Sequence, residues 1–391
     1  MRYVLAVLLA MTLFRTGMAA PEGAPSADLG QNAALRYWPA FALMSAPTPE
    51  QDKIIGQWKT APMDDKAAGI IQQNSQALDY LQLAAEIKPC DWGLVQAGLD
   101  TILVHLGKAR QITRLACLRA RYRFSRGENV DGVRDVCAVL ALASQCEPGD
   151  AGALISMLVK CAIQNDAVSA VSEHLAGLAL DAKALKMLTD QLNASQQRPD
   201  FAPALRMEQK ACLGWWIERV RGGDLAATQK MLDELRAAQP NGAQQEKEVP
   251  PDWISAGKAT PEMAQQFARQ LEELDASYQR LIDAAGLPLA EFQERVSVEA
   301  KKLAEARNPF AALTQLSVFA RARYVSAKAE TLLLMLRAAA AIVLEGPDKL
   351  KDFKDPYGSG PFEYRALQSG FELKSELLYD GKPVTLTVGG R

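Results

Sequence analysis

The chain has 391 residues, of which 49% are hydrophobic and 23% charged, with a formal net charge of −2. That profile belongs to a folded globular protein long enough to bury its own core. Lysine and arginine are scattered among acids, so no basic field is available to hold phosphates, and nucleic acid is not expected as a partner.

Met1-Arg2-Tyr3 is a short cationic start, Val4 to Phe14 is an almost unbroken apolar run, and Gly17-Met18-Ala19 supplies small residues. This is the layout of a secretory signal peptide over residues 1–19, cut after Ala19. The apolar run is about half of the ~20 residues needed to cross a bilayer. The expectation is an exported protein, periplasmic or extracellular, with no stable membrane span after cleavage. An oxidising compartment raises the question of the six cysteines, Cys90, Cys117, Cys137, Cys146, Cys161 and Cys212. No CxxC pair occurs among them. Gly127-Glu128-Asn129 reads as a helix–helix turn that puts Cys117 level with Cys137, and Glu147-Pro148-Gly149-Asp150 does the same for Cys137 and Cys161. Either pairing is open, as is a set of buried free thiols.

Residues 26–238 read as a helical array, because apolar residues recur at three-to-four spacing and period-two alternation is nearly absent. Ile70 to Leu83, ended by Pro89, is one amphipathic stretch. Leu99–Arg126, Val130–Cys146, Ala151–Leu178, Asp181–Ala194, Ala204–Val220 and Ala226–Leu235 follow. Short connections between them favour antiparallel neighbours. Ala116 to Ala143 is reminiscent of a tetratricopeptide hairpin, but there is no clean repeat period, so the array is irregular and α-solenoid-like. Residues 239–261, with Pro240, Gly242, Pro250 and Pro251 among glutamines and glutamates, read as a linker or loop.

Residues 262–345 resume the helices as Glu262–Ala285, Leu289–Ala306 and a long Leu313–Leu344. Thr331 to Leu344 is apolar on nearly every side except at Arg337, the mark of a central buried helix. After Gly346-Pro347 the period changes to two, over Phe362–Arg365, Phe371–Tyr379 and Val384–Val388, with Asp380-Gly381 as a hairpin turn. Residues 346–391 are therefore a small antiparallel β tail, and so few strands need the preceding helix to pack against. The fold class expected is mainly α, an irregular antiparallel helical array with a small C-terminal antiparallel β tail.

Two resemblances add to this. Asp355-Pro356-Tyr357-Gly358-Ser359-Gly360-Pro361-Phe362-Glu363-Tyr364-Arg365, behind a long Ala-rich helix, resembles the C-terminal region of type II secretion major pseudopilins. It departs from them by an extra residue in the turn, by lacking the pilin-type N-terminal helix, and by ending in Lys382 to Val388 where they carry an acidic calcium loop. Neither calcium binding nor pseudopilus assembly is therefore carried over. Across most of its length the chain also resembles a group of uncharacterised exported helical bacterial proteins. Cys90-Asp91-Trp92-Gly93 matches their CDWG element, and His105-Leu106, Lys108, Arg110 and Arg114-Leu115-Ala116 match the helix after it. This resemblance implies export and architecture and assigns no activity.

Catalytic chemistry is sparse. With His105 and His174 the only histidines, the candidate constellation is Cys90, Asp91, His105 and Lys108, in which an imidazole would activate a thiol. The competing structural reading has Cys90 buried, Asp91 capping, Trp92 wedged between helices and His105 held by a hydrogen bond. Glu173-His174 lacks the second histidine of a metalloprotease motif, and Gly358-Ser359-Gly360 is no nucleophile elbow. Gly222-Gly223-Asp224 reads as a helix–helix turn and Trp215-Trp216 as core. No cofactor and no metal site is expected. The leading expectation is a non-enzymatic scaffold or protein-interaction module of the cell envelope, with a protein partner. The alternatives are an envelope enzyme using Cys90, Asp91 and His105, and an accessory of a secretion or pilus-like machine.

Overall fold

The computed structural model describes residues 31–94, 103–146, 154–194, 201–237, 258–310 and 316–389. The signal peptide expected over 1–19, the turn at Glu147 to Asp150 and most of the linker at 239–261 lie outside the described residues. Helices account for 71% of the structure, and a three-stranded antiparallel sheet closes the chain.

The helices start where local chemistry satisfies their first amides. After α1 (Ala34–Ala42), Thr48 and Gln51 form a capping box with Pro49 at the first turn of α2 (Pro49–Gly56). Asp64 accepts from Lys66 and Ala67 at the head of α3 (Asp65–Gln73), which leads into α4 (Ser75–Ala85). The next three, α5 (Val104–Ser125), α6 (Asn129–Gln145) and α7 (Leu154–Ser172), pack on one another. A charged knot joins α4, α5 and α6. Asp135, fully buried, is gripped by Arg119 at 2.6 Å and Arg123 at 2.8 Å, and accepts from Gln82. Burial pushes the Asp135 carboxyl up, while Arg119 and Arg123 pull it back.

The expected single helix over Ala151–Leu178 stops early. α7 ends at Ser172, and Leu175–Leu180 forms a 3₁₀ segment before α8 (Ala182–Ala194). By length and composition α7 is also apolar enough to cross a membrane, yet 56% of its apolar window is buried inside the fold, as a core helix would be. The Ala204–Val220 helix is likewise divided. It is built as α9 (Phe201–Glu208), a π-helical turn over Gln209–Gly214, and α10 (Trp215–Arg221). Gln209 donates to the Asp275 carbonyl at 3.2 Å and carboxylate at 2.9 Å, a tertiary tie at the start of that wider turn. Then come α11 (Leu225–Ala237), α12 (Pro261–Asp283), α13 (Leu289–Glu305) and the long α14 (Ser317–Glu345).

There are two apolar cores. The first gathers α1 to α8, the C-terminal half of α14 and the sheet. The second gathers α9 to α13 with the N-terminal parts of α7 and α14. In this grouping α9 to α11 share a core with α12 across the loop, while α9 also packs against the preceding α7. Among the described residues only α7 and α14 supply several buried residues to both.

The tail is β1 (Glu363–Leu367), β2 (Gly370–Tyr379) and β3 (Lys382–Val388), in that order across the sheet. Asp380 (φ 50°) and Gly381 (φ 73°) make the β2–β3 hairpin, as their tolerance of positive φ predicts. Phe371, Leu373, Leu377, Val384, Leu386 and Val388 are buried, and β2 and β3 pack against α14. Ahead of β1, the buried Asp355 carboxylate accepts from the Tyr357 amide, the Ser375 hydroxyl and the Glu376 amide at 2.7–3.0 Å. That explains the Asp-Pro turn as a structural lock.

Candidate functional site

The Cys90–Gly93 segment is held by Asn32, whose side-chain amide donates to the Asp91 carbonyl and accepts from the Asp91 amide, both at 2.8 Å. The Asp91 carboxylate accepts from Gly93, which sits at φ 66°. This fixes Trp92 in an aromatic stack. Its ring lies 5.4 Å from Tyr37, 5.9 Å from Phe41 and 4.6 Å from His105, and Trp38 meets it edge-on at 5.7 Å. The Trp92 indole donates to the Gln145 carbonyl at 2.7 Å. Tyr37 donates to the Gln145 side-chain oxygen, and the same side chain donates to the Ile87 carbonyl at 2.6 Å.

The four candidate residues stand as follows. Cys90 is half-buried, with its thiol pushed up to about 12 chiefly by burial. His105 is fully buried, and burial pushes its pKa down to about 4. Among the described residues neither His105 nitrogen has a hydrogen-bond partner, so Cys90 and His105 are not joined as nucleophile and base, and the hydrogen bond expected for His105 is not found there. Asp91 is exposed and Lys108 projects from an exposed position of α5. Of the four, Cys90 packs against the first core and His105 stacks on Trp92 inside it.

The cysteines likewise make no observed bridge at Cys137. Its thiol is free, faces the Met187 carbonyl of α8 at 3.9 Å and is pushed up to about 12 by burial. Level with Cys117 along the helix, it faces a different neighbour. Among the described residues no cluster of three or more histidine, cysteine or acidic side chains is arranged to hold a metal. Trp215 and Trp216 meet edge to face, with Trp216 buried and the Arg219 guanidinium 4.8 Å above Trp215.

A different place offers room for a ligand. A groove of about 830 Å³ runs between β3 and the helices, bounded by Trp58 and Lys59, by Arg121 of α5, by the end of α7 and by Lys328 of α14. All six consecutive residues from Lys382 to Thr387 line it. Neighbouring residues of a strand point to opposite faces, so a groove touching every one of them runs along the strand's edge. β3 pairs with β2 on its other side only. Beyond the Gly389 amide, which donates to the Ser172 carbonyl at 3.2 Å, the described residues offer no backbone partner to this edge.

Four cations, Lys59, Arg121, Lys328 and Lys382, line the groove against the acids Glu173 and Asp380. Lys59 is committed to Asp166 at 3.2 Å and to the Ser169 hydroxyl at 3.1 Å. Arg121 donates to the Trp58 and Ala61 carbonyls, and its Nε–H has no partner among the described residues. The Lys328 ammonium sits 4.2 Å over the Tyr379 ring. Neither Lys328 nor Lys382 makes an ion pair among the described residues. Sequence reasoning passed over this groove because its walls come from five distant segments, each with unexceptional residues. The one available signal was the uncharged run Val384 to Val388 at the end of a sheet.

Comparisons with known proteins add no assignment: no family model, curated protein or solved structure matches the chain.

Proposed function

We propose that the protein is an exported, non-enzymatic interaction module of the cell envelope, and that it docks a protein partner in the groove beside β3. The observation that carries this reading is the unpaired β3 edge lining a groove of about 830 Å³ with both polar and apolar walls. Edge strands are normally blunted, because their free amides and carbonyls recruit other chains. Here the edge is kept bare inside a walled channel, which limits what can reach it. The Cys90, Asp91 and His105 alternative draws less support, since the thiol is protonated by burial and the imidazole has no hydrogen bond to it. Export rests on the cationic, apolar and small-residue run before Ala20.

The test has two parts. N-terminal sequencing of the protein from the envelope or medium is expected to read from Ala20, and an intact Met1 in the cytosol overturns export. A photo-crosslinking amino acid at Thr385 is expected to give a discrete protein adduct in the native envelope. The same probe at Leu83, exposed on α4, is expected to give none. Charge reversal by Lys328→Glu with Lys382→Glu should remove the Thr385 adduct while leaving the melting temperature within about 2 °C. Equal adducts at both positions, or an adduct indifferent to the charge reversal, overturns the groove as the docking surface.

A further inference from the structure

The two edges of the small sheet are built to opposite specifications. β1 is exposed along most of its length and carries Glu363 and Arg365, which pair across to Lys374 at 2.7 Å and Glu372 at 2.8 Å. Charges on an edge discourage a further strand. β3 has Lys382 and Pro383 at its hairpin end, then five uncharged residues, Val384-Thr385-Leu386-Thr387-Val388, four of them β-branched. Those five are strong strand formers. Val384 to Thr387 line the groove, with the far end of the strand fastened through Gly389 to Ser172.

Two of the groove's cations meet at the hairpin end, where Asp380 also lines it. Lys328 and Lys382 approach the same Tyr379, the first over its ring and the second as its cross-strand partner. A ligand entering there meets two ammonium groups without carboxylate partners, whereas Lys59 is already neutralised by Asp166.

We propose that the occupant is an extended peptide segment of a partner protein that adds to β3 as a fourth strand and places acidic side chains against Lys328 and Lys382. Main-chain hydrogen bonds to the β3 edge supply the affinity, and the cationic end sets direction and selects for carboxylates. This deepens the docking reading given above and rests on it.

The test uses the full mature chain and a fluorescein-labelled, amidated heptapeptide alternating threonine and valine with two glutamates at one end, read by anisotropy. A lysine-for-glutamate analogue and two N-methylated analogues, each blocking alternate amides of the peptide, complete the set. The expected result is saturable binding of the glutamate peptide, at least ~10-fold weaker binding of the lysine analogue, and loss of binding for one phase of N-methylation but not the other. Only a strand with one hydrogen-bonded side discriminates between the phases. Lys328→Glu with Lys382→Glu should reverse the charge preference. No saturable binding by any peptide, identical behaviour of the two N-methylated phases, or an unchanged preference in the charge-reversed protein overturns strand addition. If the Thr385 adduct nevertheless forms and responds to charge reversal, docking in the groove stands and only its strand geometry fails. If that adduct is missing too, both readings fall together.

Discussion

The Trp92 cluster and the β3 groove are opposite solutions to placing polar atoms. Around Trp92 nearly every polar group is spent internally: the indole on the Gln145 carbonyl, the Tyr37 hydroxyl on the Gln145 side chain, the Asp91 backbone on Asn32. Along β3 the described residues leave a row of backbone groups unpaired, and neither Lys328 nor Lys382 has a carboxylate partner among them. Reactive residue types sit at the first place, and ordinary ones at the second. Chemistry-bearing residues therefore marked the part of this molecule that builds the fold, while the edge of the groove is made largely of threonine, valine and lysine.

The comparison can be broken most forcefully at Trp92. Trp92→Ala removes the centre of the stack and should cost about 3–5 kcal/mol, measured by urea denaturation. A loss below about 1 kcal/mol would mean the cluster is not what holds α1 and α5 together.

Acid should act on the same cluster through His105. Its pKa in the folded protein is about 4, below the ordinary histidine value, because burial disfavours the imidazolium. The unfolded chain takes up a proton there that the folded chain refuses. This contribution is thus fully present above about pH 6.5 and is lost as pH falls toward about 4, by on the order of 2–3 kcal/mol. His105→Phe, which keeps the ring against Trp92, should flatten that part of the stability–pH curve and leave neutral stability within about 1.5 kcal/mol. An unchanged slope would remove His105 as the titrating group.

The smallest effect expected is on Cys90. With its thiol pushed up to about 12, alkylation by iodoacetamide at neutral pH should be slow in the native protein and rapid in urea. Fast native labelling, abolished by His105→Ala, would revive the thiol–imidazole alternative.

Most of the fold was legible in the sequence for identifiable reasons. The hairpin at Asp380-Gly381 rests on residues that tolerate positive φ, and the strands around it alternate over a face that is in fact buried. Gly222-Gly223-Asp224 is a helix–helix turn as read, with Asp224 accepting from the Ala227 amide of α11. α1 escaped notice because Pro39 sits inside it, and the side chain that accepts from its first amide, Asn32, lies outside any capping pattern. Its stability comes from Tyr37 and Phe41 stacking on a tryptophan some fifty residues later. α2 was locally announced by Thr48, Pro49 and Gln51, a capping signal too short to show in apolar spacing. The break between α9 and α10 coincides with the Gln209–Asp275 tie, a partner too far along the chain for a local pattern to report. The candidate site was legible only in part. Trp92 is buried as the structural reading expects, Asp91 turns back onto the Gly93 amide, His105 makes no hydrogen bond among the described residues, and the groove exists only once Lys59, Arg121, Lys328 and Lys382 are brought together.

The amide of Gly389 fastened to Ser172 has a mechanical consequence. Ser172 is the last residue of α7, whose opposite end carries Leu154, Met157 and Cys161 into the second core. A stiff rod is thus anchored at one end among α9 to α13 and tethered at the other to the rim of the channel. Loosening that anchorage would let the rod tilt and shift the wall of the channel beside the final strand, so the two cores are mechanically coupled through α7.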